Sequence, residues 1–392
     1  MKHIERIYPY LFAIFCFVIP FEHSARALPN ILLLLLVVFF PYQNLKKSIK
    51  GYKKELIYSF LLIGIITINT LLFQRWEDFD IIFRLLYIPL IIILFSPIKN
   101  PKYSLNAFVL GVFLLCCLSA FLITINMIKD SSFALANGEK VNELLFGHRP
   151  YLGFMYLIAA YFSFFLATES SDKIKRILYT IVGVFFVGFI FFIAARLSTL
   201  AVFVSLLIAA VYYVKKIMIS TKWLVLGSAL FFTLFFSLSS NLSKRFYIHD
   251  ENINFIQAEP RYYIWDCVYE TKPVNFKQIL FGKGYEKTQN DLVICYQHKE
   301  NFLDSEHQQW FIDSRFNTHN QFLDFFLSQG ILVGLLSIIY FVNLMAFTRK
   351  DFFSFGLIIA VLLFFLVENV LTRQIGSILT ALVITFVVRK ND

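Results

Sequence analysis

The sequence predicts an all-α polytopic membrane protein with about twelve transmembrane helices and one large outer loop between helices 9 and 10. Hydrophobic residues make up 58% of the 392 residues, and 48 residues are Phe. Charged residues make up only 16%, whereas ordinary soluble domains carry about 25%. The apolar residues form long continuous runs, most of them near the roughly 20 residues that a spanning helix needs. This composition excludes soluble enzymes, nucleic-acid-binding modules and disordered proteins.

The predicted spans follow one another along the chain with a single long interruption. They lie at 8–22, 29–43, 56–73, 79–96, 104–126, 150–168, 177–194, 198–214, 223–239, 321–346, 352–369 and 374–388. The chain is therefore divided into residues 1–239 with helices 1–9, residues 240–318 as the outer loop with short helices, and residues 319–392 with helices 10–12.

The basic residues predict the orientation of the helices. If the N-terminus is cytoplasmic, 19 Lys and Arg residues fall in cytoplasmic segments and 7 fall in the short outer loops. The positive-inside rule then places both termini in the cytoplasm and the loop 240–318 on the outer side. The net charge of +10 is accordingly a topology signal, and we expect no nucleic-acid partner.

The outer loop is too polar to span a membrane, and a loop of this length is usually functional. Its 9 basic and 11 acidic residues nearly cancel. We expect a short helix around Glu259–Glu270 and a turn at Gly282-Lys283-Gly284. Cys267 and Cys295 both fall in this loop, where an oxidising compartment permits a disulfide; a disulfide and two free thiols are equally compatible with the sequence.

Several ionisable residues at the outer membrane border are candidate site residues. Arg149 begins the sixth span, and Arg196 lies in the tight turn between spans seven and eight. Arg261 and Trp265 lie four residues apart, on one face of the predicted loop helix. An Arg at a helix end is often a snorkelling anchor, but Arg196 stands on the side that the positive-inside rule disfavours.

His319 is the candidate catalytic base. The segment Thr318-His319-Asn320-Gln321 fits a capping box with Thr318 at the N-cap and Gln321 reaching back. This interpretation places His319 and Asn320 in the first turn of the tenth span. The partial positive charge of a helix N-terminus disfavours the imidazolium, so His319 would stay neutral and able to accept a proton.

These residues indicate a chemistry. Converging arginines suit a pyrophosphate, because the guanidinium group binds phosphate oxygens with two hydrogen bonds. A neutral His suits proton removal from an attacking hydroxyl. The scattered His residues show no metal-ligand spacing, so we expect neither a metal nor another cofactor, and we find no pair of carboxylates at the outer border.

At these positions the sequence resembles the O-antigen ligase and polymerase superfamily of bacterial envelope glycosyltransferases. That family has about twelve spans, a large periplasmic loop before the last three, and a His-Asn pair followed by Gly-x-x-Gly-Leu. Here the pair is His319-Asn320 and the glycine segment is Gly330–Leu335. The family's loop motif corresponds to Arg261 and Trp265, and its essential arginines to Arg196 and Arg149.

The resemblance implies a metal-independent, inverting transfer at the periplasmic face of the inner membrane. His319 and Arg196 would be catalytic, and Arg149, Arg261, Asn320 and Trp265 would bind substrate. The donor would be a glycan linked to undecaprenyl pyrophosphate, within the membrane lipid. The acceptor would be lipid A–core sugar in a ligase, which the single compact loop favours, or another lipid-linked glycan in a polymerase. A glycolipid flippase or other transporter is the alternative from a different class.

Overall fold

The computed structural model describes residues 2–42, 45–130, 144–217, 259–300 and 302–391. Within these ranges the chain is all-helical, with no strand. The α-helices are α1 (Lys2–Val18), α2 (Ala27–Val38), α3 (Leu45–Ser48), α4 (Lys53–Leu72), α5 (Phe79–Phe95), α6 (Lys102–Asp130), α7 (Arg149–Thr168), α8 (Lys173–Phe192), α9 (Arg196–Ile217), α10 (Pro260–Glu270), α11 (Phe276–Phe281), α12 (Tyr285–His298), α13 (Ser305–Ser314), α14 (Gln321–Gln329), α15 (Ile331–Thr348), α16 (Phe352–Phe365) and α17 (Gln374–Asn391).

Helices cover most of each predicted span that the structure describes. Among the described residues, five helical segments are long and apolar enough to cross a membrane: Ile49–Leu72, Lys102–Asn126, Arg149–Thr168, Lys173–Phe192 and Ile331–Thr348. Shorter apolar helices lie at Ala27–Val38, Arg196–Tyr212 and Phe352–Phe365. The predicted span 223–239 and the first part of the outer loop, 240–258, lie outside the described residues. The number of spans and the side on which the loop lies therefore stay predictions.

The tenth predicted span, 321–346, is not one continuous helix. It is divided at Gly330 into α14 and α15. Gly330 has φ +87°, and a Cβ there would lie 2.1 Å from the carbonyl oxygen of Leu280. A positive φ with this close approach is open only to glycine, so the break is built into the sequence. The chain between the two helices makes room for the segment around Leu280.

Helix α7 forms the centre of the bundle. In its most apolar part, 83% of the residues are buried. Helix α7 packs against α6, α8, α9 and α16. Helix α17 packs against α5 and α7 and is buried along most of its length. Each of these helices is apolar on nearly all sides, as expected for helices surrounded by other helices.

The described part of the outer loop folds around its own small core. Tyr263, Cys267, Leu292, Tyr296 and Phe311 are buried together there. Cys267 and Cys295 form a disulfide that joins α10 to α12. The predicted loop helix around Glu259–Glu270 is confirmed as α10. Because the loop is compact, it can hold the side chains of α10 at a defined place over the bundle.

A glycine turn attaches this loop to the bundle. The backbone amides of Lys283 and Gly284 donate to the carbonyl oxygens of Leu327 and Ser328, at 2.9 and 2.7 Å. The Arg75 guanidinium donates to the carbonyl oxygen of Gly282 at 2.8 Å. The turn predicted at residues 282–284 therefore contacts the last turn of α14, directly before the break at Gly330.

Candidate functional site

Five charged or ionisable side chains form a continuous chain of contacts at one end of the bundle. Arg196 Nη1 lies 2.7 Å from Glu259 Oε2, and Arg261 Nη1 lies 2.7 Å from Glu259 Oε1. Arg261 Nη2 lies 2.8 Å from Glu368 Oε1. His319 Nδ1 lies 3.2 Å from Glu368 Oε2. We call these five residues the polar network.

Three of the predicted site residues, Arg196, Arg261 and His319, thus come together although they are far apart in the sequence. They are contributed by the start of α9, by the first turn of α10 and by the segment before α14. Two carboxylates that the sequence analysis did not single out accompany them. Glu259 and Glu368 each bridge two of the basic or imidazole groups.

Helix α10 presents its predicted face to the bundle. Arg261 Nε donates to the carbonyl oxygen of Val367 at 3.2 Å, and Trp265 Nε1 donates to the carbonyl oxygen of Thr318 at 3.1 Å. Both acceptors belong to segments that also carry network residues, Glu368 and His319. The four-residue spacing of Arg261 and Trp265 therefore places both side chains against the same part of the bundle.

The predicted capping box at Thr318 is wrong. The N-cap of α14 is Asn320, whose side-chain oxygen accepts from the backbone amides of Phe322 and Leu323, both at 3.0 Å. Gln321 Oε1 accepts from the Leu371 amide at 2.7 Å instead of reaching back. Asn320 also donates to the carbonyl oxygen of Leu366 at 3.1 Å. Asn prefers the N-cap at least as strongly as Thr, and the tertiary contact of Gln321 decides between them.

His319 therefore lies just before the helix and not in its first turn. Its backbone has φ +44°, and its amide donates to Asn317 Oδ1 at 3.1 Å. Its side chain is 20% exposed and faces Glu368, whose side chain is 9% exposed. The local environment of His319 is consequently set by a buried carboxylate and not by the helix N-terminus.

Glu368 is held in its ionised form. Burial raises the pKa of this carboxyl, but the hydrogen bond and charge of His319 and the Arg261 guanidinium outweigh burial, so the pKa is lowered overall. A carboxylate that faces His Nδ1 favours a proton on that nitrogen and leaves Nε2 able to accept one. The sequence contains one signal for Glu368, since it is an isolated acidic residue beside an otherwise apolar run.

Arg149 lies near the network, at the first residue of α7, and is buried. The start of α7 packs tightly on the start of α9, because a Cβ at Gly153 would lie 2.1 Å from Ser198 Oγ. Tyr151 donates to the carbonyl oxygen of Asn369 at 3.1 Å. These contacts place Arg149 on the element that supports both the Arg196 turn and the segment after Glu368.

A cavity of about 550 Å³ lies beside the network. It is lined by residues from the outer ends of several helices, and basic side chains are frequent among them: His23, Arg26, Arg84, His148 and Arg373. Thr318 and Asn369, the neighbours of His319 and Glu368, also line it. Arg84 lies 4.0 Å from Asp80, and it also donates to the carbonyl oxygen of Thr372.

In the described residues, Cys267, Glu270 and Cys295 place potential metal-ligand atoms close together. Both sulfurs belong to the disulfide, and a metal requires the free thiolate. This cluster is therefore a cross-link between α10 and α12 and not a metal centre.

Comparison with known families finds a match. Residues 181–338 match a family model described as O-Antigen ligase. The matched range contains Arg196, Arg261 and His319 and ends before Glu368. A comparison with curated proteins finds none that matches the chain.

Proposed function

We propose that this chain, whose residues 181–338 match a family model described as O-Antigen ligase, is a membrane glycosyltransferase of the O-antigen ligase and polymerase superfamily. It moves a glycan from undecaprenyl pyrophosphate to a sugar hydroxyl at the periplasmic face of the bacterial inner membrane. The observation that carries this proposal is the contact of His319 with Glu368, beside the two arginines of the polar network. It supplies a base and a site for a pyrophosphate in one place.

His319 is the general base of the proposed reaction. Glu368 keeps the proton on Nδ1, so Nε2 takes the proton of the acceptor hydroxyl. The hydroxyl oxygen forms a bond to the anomeric carbon, and the bond from that carbon to the pyrophosphate oxygen breaks. The bonding electrons leave with undecaprenyl pyrophosphate, and attack from the opposite face inverts the anomeric centre.

Arg196 and Arg261 bind the pyrophosphate in this proposal. The side chain of Arg196 is 40% exposed, so a ligand can reach it. Both guanidinium groups contact Glu259, and this carboxylate occupies the position that a phosphate oxygen would take. When the donor is bound, the phosphate oxygens take the place of the Glu259 carboxylate at the two guanidinium groups, which then stabilise the negative charge of the leaving group. Arg261 keeps its contact with Glu368.

The remaining predicted site residues support this arrangement. Asn320 caps α14 and donates to the carbonyl oxygen of Leu366, and Trp265 donates to that of Thr318. Both hold the segments that carry His319 and Glu368. We propose that the exposed part of Trp265 also contacts a sugar ring and that Arg149 supports the phosphate site from α7.

A ligase with lipid A–core as its acceptor is the function we favour, because the outer loop is single and compact. A polymerase that joins lipid-linked repeat units uses the same donor and the same base. A transporter would need its charges within a central pathway open to both sides, whereas the polar network lies at one end of the bundle. The arrangement therefore favours transfer over transport.

The deciding experiment uses the purified full-length protein in lipid nanodiscs, supplied with undecaprenyl-pyrophosphate-linked glycan. Lipid A–core is the acceptor in one reaction and a second lipid-linked repeat unit in the other. We expect joined product with one acceptor, without nucleotide or added metal. Absence of product with both acceptors, from protein that binds the donor, would contradict the proposal. Product only in the second reaction would make the chain a polymerase.

A further inference from the structure

The cavity beside the polar network has a chemistry of its own. Its volume of about 550 Å³ falls in the range of sites that bind small molecules, roughly 300–1,000 Å³. Three arginines from three different segments line it: Arg26 before α2, Arg84 in α5 and Arg373 before α17. Arg373 also lies over the ring of Tyr151, at 5.3 Å. The tertiary fold alone brings these residues together.

The acidic residues that line the cavity offset this charge only in part. Burial raises the pKa of Glu22, although Arg26, His23 and Arg373 lower it. The Glu22 carboxyl is thus less readily ionised than on a surface. Asp324 is the other carboxyl group among the lining residues, which include three arginines.

The basic residues of the cavity also affect the protonation of His148. The pKa of His148 is lowered by burial, and Arg373 and His23 lower it further. A second imidazolium is therefore disfavoured where positive charge is already concentrated. An anion entering the cavity would meet the opposite effect and be stabilised.

The cavity and the polar network share a wall. The carbonyl oxygen of Thr318 accepts from Trp265 on the network side. The Thr318 hydroxyl donates to Asn369 Oδ1 at 3.1 Å, and both residues line the cavity. Thr318 and Asn369 directly adjoin His319 and Glu368 in the chain. A molecule that fills the cavity would therefore contact Thr318, which directly precedes the proposed base, and Asn369, which directly follows Glu368.

We propose that this cavity binds an anionic sugar of the acceptor, one that carries a phosphate or a carboxylate group, and so presents a neighbouring hydroxyl to His319. The inference rests on the proposed transfer function. It assigns the acceptor to the cavity because the pyrophosphate of the donor is assigned to Arg196 and Arg261.

Binding of simple sugars to the full-length protein in nanodiscs tests this inference without any transfer step. The probes are glucose 6-phosphate, glucuronate and glucose, observed by saturation-transfer difference NMR. We expect binding of one or both charged sugars and much weaker binding of glucose. Glucose 6-phosphate and glucuronate distinguish a phosphate from a carboxylate ligand.

Arg26→Gln and Arg373→Gln should each weaken binding of the charged sugar about tenfold, because each removes a charge-assisted hydrogen bond. Both side chains are exposed, so these changes leave the core of the bundle intact. The matched control is Arg176→Gln, an exposed arginine in α8 whose described contact is the carbonyl oxygen of Ser170. Arg176→Gln should bind as the wild type does.

Three results would overturn the inference: equal binding of glucose and the charged sugars, unchanged binding in both cavity variants, or an equal loss in Arg176→Gln. Loss of sugar binding in Arg196→Ala with unchanged binding in the cavity variants would also overturn it, by placing the anion at the polar network. Failure of the transfer assay leaves these binding results unaffected, so the two proposals fail separately.

Discussion

At the scale of single residues, Glu368 joins the proposed base to the proposed phosphate site. Its two oxygens contact His319 Nδ1 at 3.2 Å and Arg261 Nη2 at 2.8 Å. One carboxylate therefore orients an imidazole and a guanidinium at the same time. Variants of His319, Arg196 and Glu368 should therefore impair different steps: proton removal, pyrophosphate binding and the positioning of the base.

Replacing His319 with Gln should abolish transfer and keep donor binding. Gln retains hydrogen bonding but accepts no proton near neutral pH, and a general base contributes about 10²–10⁴-fold. The measurement is the single-turnover rate, with donor binding assayed separately. A wild-type rate in His319→Gln would show that the imidazole is no base.

Arg196→Ala should lower transfer by about 10²–10³-fold, by analogy with the loss of a donor to a developing negative charge. Arg196→Lys should recover little, because Lys cannot form the paired hydrogen bonds of a guanidinium. Arg176→Ala, on the exposed face of α8, is the control and should keep the full rate. Near-normal transfer by well-folded Arg196→Ala would reject the pyrophosphate role.

Glu368→Gln tests a positioning residue, since Glu368 acts through His319 and Arg261. We expect a loss of at least about 10²-fold, approaching that of the base itself. The pKa of the Glu368 carboxyl is lowered from its ordinary value of 4.5, so the carboxylate is ionised throughout the neutral range. The contribution of its charge to the rate is lost only when the pH falls through that lowered pKa. The wild-type rate should therefore exceed the Glu368→Gln rate by this factor throughout about pH 7 to 8, well above the pKa of the Glu368 carboxyl. A ratio of the two rates that falls towards one within this range would contradict the assignment.

At the scale of elements, the division between α14 and α15 determines where His319 lies. A Cβ at Gly282 would lie 2.2 Å from the carbonyl carbon of Ser328, and one at Gly330 would lie 2.1 Å from the carbonyl oxygen of Leu280. The two glycines thus allow the loop and the end of α14 to meet backbone to backbone. The N-terminal end of α14, with Asn320 and His319, is positioned by the same contact.

Gly330→Ala should destabilise the protein and displace the loop. Backbone strain of this kind costs about 1–3 kcal/mol, and the clash with the Leu280 backbone adds to it. The control is Gly188→Ala in α8, where a Cβ would meet nothing within 4 Å. Thermal unfolding in detergent should show a lower midpoint for Gly330→Ala and little change for Gly188→Ala. Equal midpoints would mean that the backbone contact can relax.

At the scale of the whole molecule, polar contacts are concentrated at two ends of the bundle. The polar network and the cavity lie at one end. Segments predicted to be cytoplasmic contact one another away from the polar network and the cavity. Lys390 Nζ lies 2.7 Å from Asp351 Oδ1, and Lys102 Nζ lies 3.6 Å from Glu169 Oε2. Which side of the membrane each end faces stays a prediction from the basic residues.

Cysteine labelling in intact cells tests that orientation. Val274 in the outer loop is 83% exposed, so a cysteine there should react with an impermeant reagent once the outer membrane is opened. A cysteine at Ser170, between α7 and α8, should react only after the inner membrane is also permeabilised. The exposed native Cys117 is first replaced by Ala. The reverse pattern would contradict the topology and the proposed function together.

The hydropathy of single segments predicted most helices, because a continuous apolar run has no other stable form in a membrane. It failed at residues 321–346, where Gly330 interrupts the helix for a tertiary contact. The residue types also indicated three members of the polar network. Glu259 and Glu368 were missed, because an acidic residue beside a membrane carries no sign of its partner.

What the sequence by itself determined is the helical, membrane-spanning class, the α10 helix with Arg261 and Trp265 on one face, and the candidates Arg196 and His319. These depend on local hydropathy and spacing. The tertiary structure alone decided the cap at Asn320, the disulfide, the pairing of His319 with Glu368, and the cavity of Arg26, Arg84 and Arg373. Each of these depends on residues distant in the sequence, which come together only when the helices and the loop pack against one another.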